Sequence, residues 1–324
     1  MKTWLAVFLK WAILMTGVIG DETTFEVYMP KAHRGKEDAY LATVTALPTD
    51  KTYYIVEFIP SASMEVVHHM ELDMCLYPLK MGDSTTCMQK NIVYMWARNA
   101  SSLVLPKGVG FKVGKDTPVQ HLSLTMHFAS APDKNDINTK SLGVILKMTD
   151  EPLKKTAGVH IMLTGGQIEP GTRELFDVSC RVKENVEMHV FAYRTHTHDL
   201  GRIVSGYRVR SKHGTSHWTL IGKKDPRKPQ MFYPMKEDVI IRKGDIIASR
   251  CIMENVRDHT VRIGATHHDE MCNFYSMYWV ENDNHPQSRS CMSEGPPNYY
   301  WETDDKLDNI PPGANVLRSE NYAM

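Results

Sequence analysis

Met188-His189-Val190-Phe191-Ala192-Tyr193-Arg194-Thr195-His196-Thr197-His198 is the stretch that decides the fold class. Its even positions run Met188, Val190, Ala192, Arg194, His196 and His198. Alternate residues of a strand share a face, so the stretch predicts a β-strand with His196 and His198 on the same side. Strand rise sets the two imidazoles about 6–7 Å apart along the chain. That is a suitable bite for a metal, and Arg194 lies one step before the pair. A polar strand edge is the plainer reading of this segment taken alone. His189 has the opposite parity and is left out of the metal set.

Alternation recurs outward from this segment. Tyr40–Leu47, Tyr53–Ile59, His121–Phe128, Val159–Leu163 and Cys272–Val280 all show it. Turn signals separate them at Pro106-Lys107-Gly108, Gly165-Gly166, Glu169-Pro170-Gly171 and Arg242-Lys243-Gly244-Asp245. Helical periodicity is poor. Short strands at this spacing predict an all-β protein of antiparallel β-sandwiches. A boundary near Glu151–Thr156 splits the chain into similar halves, 21–154 and 155–301. The last stretch, 302–324, contains Pro311-Pro312 and reads as an extended tail.

The 324 residues suit two domains. Lys+Arg and Asp+Glu are both 38, so formal net charge is zero and a basic nucleic-acid footprint is excluded at whole-chain level. Met1-Lys2-Thr3, the apolar run Trp4–Ile19 and Gly20 read as a signal peptide over 1–20. No later run reaches the roughly 18–20 apolar residues needed to span a membrane. A secreted protein of the secretory lumen or granule is therefore expected. There, the six cysteines (Cys75, Cys87, Cys180, Cys251, Cys272 and Cys291) argue for disulfides rather than thiolate metal sites. Spacing alone leaves 15 connectivities open. Asn99-Ala100-Ser101 is a candidate glycosylation sequon.

Three further segments carry possible donors. In His121–Phe128, Leu122, Leu124, Met126 and Phe128 form the apolar face, and His127 lies on the other. His68 and His69 are adjacent, so in a regular strand they point to opposite faces; both reach one metal only if the backbone bends. In Asp269–Tyr275, Met271, Asn273 and Tyr275 share a face, while Glu270 goes to the other side. Met271 alone reads as core. Joined to His196 and His198, its thioether makes a soft set that favours copper over zinc, magnesium or calcium. A zinc hydrolase is further disfavoured because no carboxylate base stands beside the HxH pair.

These segments together resemble the peptidylglycine α-hydroxylating monooxygenases, the copper half of the peptide-amidating system. The matching stretches are Val67–Met70, Met188–Gly201, Val204–Arg210, Trp218–Gly222, Pro229–Pro234 and Asp269–Tyr275. The resemblance implies two jelly-roll-like β-sandwich domains with the active site in the cleft between them. It implies two coppers per chain: His68, His69 and His127 on an electron-transfer copper, and His196, His198 and Met271 on the copper that binds O2. It implies that Arg194, Asn273 and Tyr275 grip a peptide's C-terminal carboxylate. The implied reaction is hydroxylation of a C-terminal glycine, with ascorbate as reductant and O2 as co-substrate. No catalytic acid–base pair beyond the copper ligands is required. The implied disulfides are Cys75–Cys87, Cys180–Cys291 and Cys251–Cys272, two fewer than family members often carry.

The chain departs from the family pattern in places. Thr125 stands where Gln is usual, which puts an electron route through that side chain in doubt. Asp199 stands where a third His often follows the HxH pair. His267 and His268 precede Asp269 and read as exposed loop residues, although His267 shares parity with Met271 if the strand begins early. The chain ends soon after its second half, so a separate hydroxyglycine lyase is expected to complete amidation. Glycine-extended peptides are the expected partners, and a monomer the expected state. The competing readings are a dopamine β-hydroxylase-like monooxygenase and a secreted, non-catalytic copper-binding protein.

Overall fold

The computed structural model describes residues 22–29, 40–81, 84–128, 142–266, 268–281 and 289–316. The signal-peptide segment 1–20 and His267 lie outside the described residues. All six alternating segments are strands, and among the described residues there is no α-helix. Alternation lets each strand bury one face, and the sheets pair those faces into sandwiches.

In the first half, the strands Tyr40–Ala46, His121–Phe128, Val67–Cys75 and Lys90–Ala97 form one sheet in that order. It packs on the strands Glu22–Tyr28, Gly143–Thr149, Thr52–Ser61 and Val109–Gly114. In the second half, Lys155–Thr164, Asn273–Glu281, Met188–His196 and Tyr233–Ile241 face a sheet of Arg173–Arg181, Ile246–Glu254, Gly201–Lys212 and Thr215–Lys224.

The two halves share a sheet. Lys155 and Thr156 pair in parallel with Val109 and Gly110, so the ladder runs across the joint. Gly110 is required there: a Cβ would sit 2.8 Å from Tyr54 Cβ and 3.0 Å from Leu153 Cδ1. Apolar packing joins them as well. Val159, Ile161, Ala192, Tyr275, Met277 and Trp279 project from the second half into the same core as Phe58, Trp96 and Phe111 of the first. Full burial of a large apolar side chain contributes about 1.5–3 kcal/mol, so this contact is a core rather than a loose domain contact.

The three disulfides are Cys75–Cys87, Cys180–Cys291 and Cys251–Cys272. These are the pairs the resemblance implied.

Two expectations need correction. The stretch expected as an extended tail is packed as far as residue 316. Trp301, Leu307 and Ala314 are buried against Tyr207, Val209 and Ala248 on the outer sheet of the second half. The unbroken parity of Met188–His198 also fails. The strand carries a β-bulge, with Val190 opposite Tyr278, Ala192 opposite Met277, and Phe191 extra. An extra residue flips the alternation. Met188 and Val190 therefore face the sandwich interior, whereas Ala192, Arg194 and His196 face the first half.

Candidate metal centre

A second bulge builds the first donor set. His127 pairs with His69, but Phe128 pairs with Val67, so His68 is the inserted residue. Two residues of one strand then oppose one of the other, and the adjacent histidines turn to the same partner. The His127 ring lies 5.3 Å from that of His68 and 5.0 Å from that of His69, centre to centre. Tyr40, opposite His127 in the neighbouring strand, stacks flat on it at 4.1 Å. The sequence gives no signal for Tyr40 beyond its place at a strand start.

The second set lies where three segments meet. Arg194 pairs across the ladder with Tyr275, and His196 with Asn273. The His196 and His198 rings are 5.5 Å apart. Asn273 Nδ2 reaches Met271 Sδ at 3.8 Å and Tyr275 Oη at 3.2 Å. Met271, Asn273, Tyr275 and Arg194 thus form one row, with the Arg194 guanidinium 5.0 Å from the Tyr275 ring centre.

Each second-set imidazole is held through one nitrogen. His196 Nδ1 lies 2.6 Å from Gln230 Oε1, and His198 Nδ1 3.0 Å from the Asp269 carbonyl oxygen. A histidine that donates from Nδ1 presents the Nε2 lone pair outward, which is the usual arrangement of a metal-binding histidine and its supporting partner. Gln230 sits in a loop 34 residues beyond His196; it falls within the matching stretch Pro229–Pro234, but the resemblance implies no role for it there.

Imidazoles sharing a first-row metal at about 2 Å per nitrogen set their ring centres roughly 5 Å apart. The separations of 5.0–5.5 Å in both sets fit that requirement. The donor chemistry fits as well, since imidazole and thioether suit copper. Among the described residues, no group of three His, Cys, Asp or Glu converges as a ready-made metal site, so His68, His69 and His127 are neighbours through His127 without closing on one point. In the second set the third candidate donor is the Met271 thioether.

The two sets are near enough for the charges of one to act on the other. Burial is the main influence that lowers the His69 pKa to about 3, followed by the charges of His127, Arg194, His68 and His198. Burial likewise holds His196 well below its ordinary value, with Arg194, His198 and His69 acting in the same direction. Both stay neutral, the form in which imidazole binds a metal.

Arg194 is 1% exposed. Its Nε donates to the Gln230 carbonyl oxygen at 3.2 Å and its Nη2 to Gln230 Oε1 at 3.3 Å. Its Nη1 is buried without a hydrogen-bond partner among the described residues. Burial lowers its pKa, and the nearby Tyr275 and Glu71 act against that. Glu71 sits on the first half's strand, opposite Thr125. Thr125 Oγ1 accepts from Lys90 Nζ at 3.4 Å.

The bulge at Phe191 changes the reason for excluding His189. His189 falls on the same face as Arg194 and His196, not the opposite one. It is committed elsewhere, stacked on Trp279 at 3.8 Å, with its Nε2 3.2 Å from Glu187 Oε1. His268 is exposed, and its carbonyl oxygen accepts from Arg257.

Residues 25–135 match the N-terminal domain, and residues 155–304 the C-terminal domain, of the copper type II ascorbate-dependent monooxygenases. The chain belongs to that family. Over 311 residues it is 38% identical to the peptidyl-glycine alpha-amidating monooxygenase of Mus musculus, covering 93% of this chain and 30% of that protein. Over 302 residues it is 37% identical to peptidyl-glycine alpha-amidating monooxygenase A of Xenopus laevis, covering 90% of this chain and 31% of that protein. Dopamine beta-hydroxylase of Equus caballus is 23% identical over 322 residues, covering 90% of this chain and 52% of that protein. The chain thus spans about a third of the length of the amidating monooxygenases it matches.

Proposed function

We propose that this copper- and ascorbate-dependent family member is a peptidylglycine monooxygenase. It hydroxylates the α-carbon of a C-terminal glycine, the first step of peptide C-terminal amidation. His68, His69 and His127, in an N-terminal domain over 21–154, hold one copper. His196, His198 and Met271, in a C-terminal domain over 155–301, hold the other. When bound, the coppers supply one-electron transfer and O2 activation, which no side chain here provides. The overall balance is peptide, O2, two electrons from ascorbate and two protons giving hydroxylated peptide and one water.

The observation that carries this reading is the buried, unpartnered Nη1 of Arg194. An isolated buried cation is costly. The guanidinium lies 5.0 Å from the ring centre of Tyr275, in the row that Tyr275 shares with Met271 and Asn273, and a carboxylate is the ligand that satisfies it best. Gripped there, a peptide terminus holds its last α-carbon beside the second donor set, and positioning of this kind lowers the barrier. Arg194 and Tyr275 also lie across from the first half, which excludes bulk water from the row.

The disulfides support a secretory setting, and no helix among the described residues is long and apolar enough to cross a membrane. The Asn99 side chain is exposed, and its oxygen accepts from the Met64 N–H at 3.0 Å; a glycan there fits that placement.

The test is to incubate purified protein with copper, ascorbate, O2 and a glycine-terminated peptide, and to read product mass. One added oxygen on the terminal glycine, lost with a bulkier last residue, is expected. No product at full copper loading would move the reading to a phenethylamine substrate or to a non-catalytic copper binder.

A further inference from the structure

We propose that Glu270 is a positioning residue that sets where Met271 and His198 stand relative to one another. It acts this way only if His196, His198 and Met271 bind copper as proposed. Glu270 is 1% exposed and forms no ion pair with Lys or Arg among the described residues. Its Oε1 accepts from the backbone N–H groups of His198 and Met271, the latter at 2.8 Å. Its Oε2 accepts from the Leu200 N–H at 2.7 Å. One carboxylate therefore joins the segment carrying His198 to the segment carrying Met271.

The sheet does not do this work. The first strand ends at His196 and the second begins at Asn273, so His198 and Met271 both lie beyond the ladder. Their N–H groups would otherwise be unsatisfied near a buried site, at a cost of about 1–3 kcal/mol each. Glu270 is itself anchored: its N–H donates to the Arg262 carbonyl at 2.9 Å, and its carbonyl accepts from Gly264 N–H at 3.0 Å. The neighbouring Cys272 is fixed to Cys251. A carboxylate is the right group because it only accepts, with room for three donors. Glutamine has a single oxygen, and its NH2 would confront a backbone N–H.

The test compares copper-loaded, ascorbate-reduced wild type with Glu270→Gln and Met271→Ile by X-ray absorption. Copper stoichiometry and peptide kinetics are read in parallel. Wild type is expected to show a sulfur scatterer that Met271→Ile lacks. Glu270→Gln is expected to lose or weaken that scatterer and to drop kcat by about 10–100-fold. Its peptide KM should hold, because Gln230 rather than Glu270 positions Arg194. The copper on His68, His69 and His127 should remain, which shows the variant is folded. In the metal-free protein, amide exchange at His198, Leu200 and Met271 should rise. Should Glu270→Gln fail to fold, Glu270→Asp takes its place: it keeps the charge but is too short to reach all three donors. A variant with the full sulfur signal and wild-type kcat overturns the positioning role alone. No sulfur signal in wild type overturns the ligand reading and this proposal together.

Discussion

His196 Nδ1 lies 2.6 Å from the side-chain oxygen of Gln230, and the Gln230 amide is fixed in that orientation. Its Nε2 donates to the Thr197 carbonyl at 3.2 Å and the Pro226 carbonyl at 3.1 Å. Its oxygen must therefore face His196, which makes Nδ1 the protonated nitrogen and leaves Nε2 free for a metal. The same oxygen and the Gln230 main chain hold Arg194. One glutamine thus sets both the tautomer of a proposed ligand and the aim of the proposed carboxylate grip. Gln230→Leu is expected to cost about 10–100-fold in copper affinity at the second set and to raise peptide KM. A competition titration with a Cu(I) chelator, read beside KM, checks both. Unchanged values in both would remove Gln230 from the site.

Arg194 gives a second prediction. Hydrogen bonds to charged groups contribute about 1.5–3 kcal/mol, or roughly 10–100-fold in kcat/KM, mainly through KM. Arg194→Ala should show that loss. Arg194→Lys should recover little of it, because an ammonium cannot span Gln230 and a planar carboxylate as a guanidinium fork does. Steady-state kinetics on a glycine-terminated peptide and on its C-terminal amide separate the cases. The amide should be a poor substrate for wild type and equally poor for both variants. A KM that does not move with Arg194→Ala would sink the carboxylate grip.

The strands were legible because alternation is written in the sequence, and the HxH stretch with Asp269–Tyr275 placed most of the candidate site. The bulges were not legible. A bulge at His68 or Phe191 has no residue signature, since neither position is glycine and either residue fits a regular strand. The consequences were opposite. At His68 the bulge supplies the bend that adjacent histidines need to meet His127. At Phe191 it reverses the parity argument that set His189 aside, although His189 still stacks on Trp279 instead of joining the set. Gln230 lies in the matching stretch Pro229–Pro234, but its role was not legible there, because it depends on a loop folding back over a strand 34 residues away. The segment after Trp301 read as tail because Pro311-Pro312 interrupts it, and only the packed structure shows Leu307 and Ala314 as core.

Acid should weaken the fold through a histidine outside both donor sets. His160 is buried, and its Nδ1 has no hydrogen-bond partner among the described residues. Burial, with the Arg289 charge in support, lowers its pKa to about 4. In the unfolded chain it titrates near 6.5. Between those values the unfolded state binds a proton that the native state refuses, so stability falls as pH drops from about 6.5 to about 4. At about 1.4 kcal/mol per unit, the full effect is about 3 kcal/mol, with no contribution from this group above pH 6.5. Urea unfolding of the metal-free protein and of His160→Leu across that range isolates it, because every other group titrates in both. Parallel curves would show that His160 has no such shift.

The buried segment around Trp301 gives the last prediction. Trp301 donates from Nε1 to the Val178 carbonyl at 3.0 Å and from its backbone N–H to Asp177 Oδ2 at 3.1 Å. Asp177 holds Arg250 bidentately at 2.7 and 2.8 Å, and the Trp301 ring covers that guanidinium at 4.4 Å. Arg250 continues to the Asn315 side chain at 2.9 Å. The indole therefore seals a buried ion pair that a broken partner would leave exposed to solvent or uncompensated. Trp301→Ala removes the ring and opens that pair, at an expected cost of about 3–5 kcal/mol. Trp301→Phe keeps the apolar cover and loses the Nε1 hydrogen bond, so about 1 kcal/mol should be lost beyond the volume change. None of these contacts touches the row of Met271, Asn273, Tyr275 and Arg194, so peptide KM should hold in both variants. Denaturant midpoints for the two variants, read against KM, decide the matter. A Trp301→Ala midpoint close to wild type would mean that the strap rests on the sheet without stabilising it.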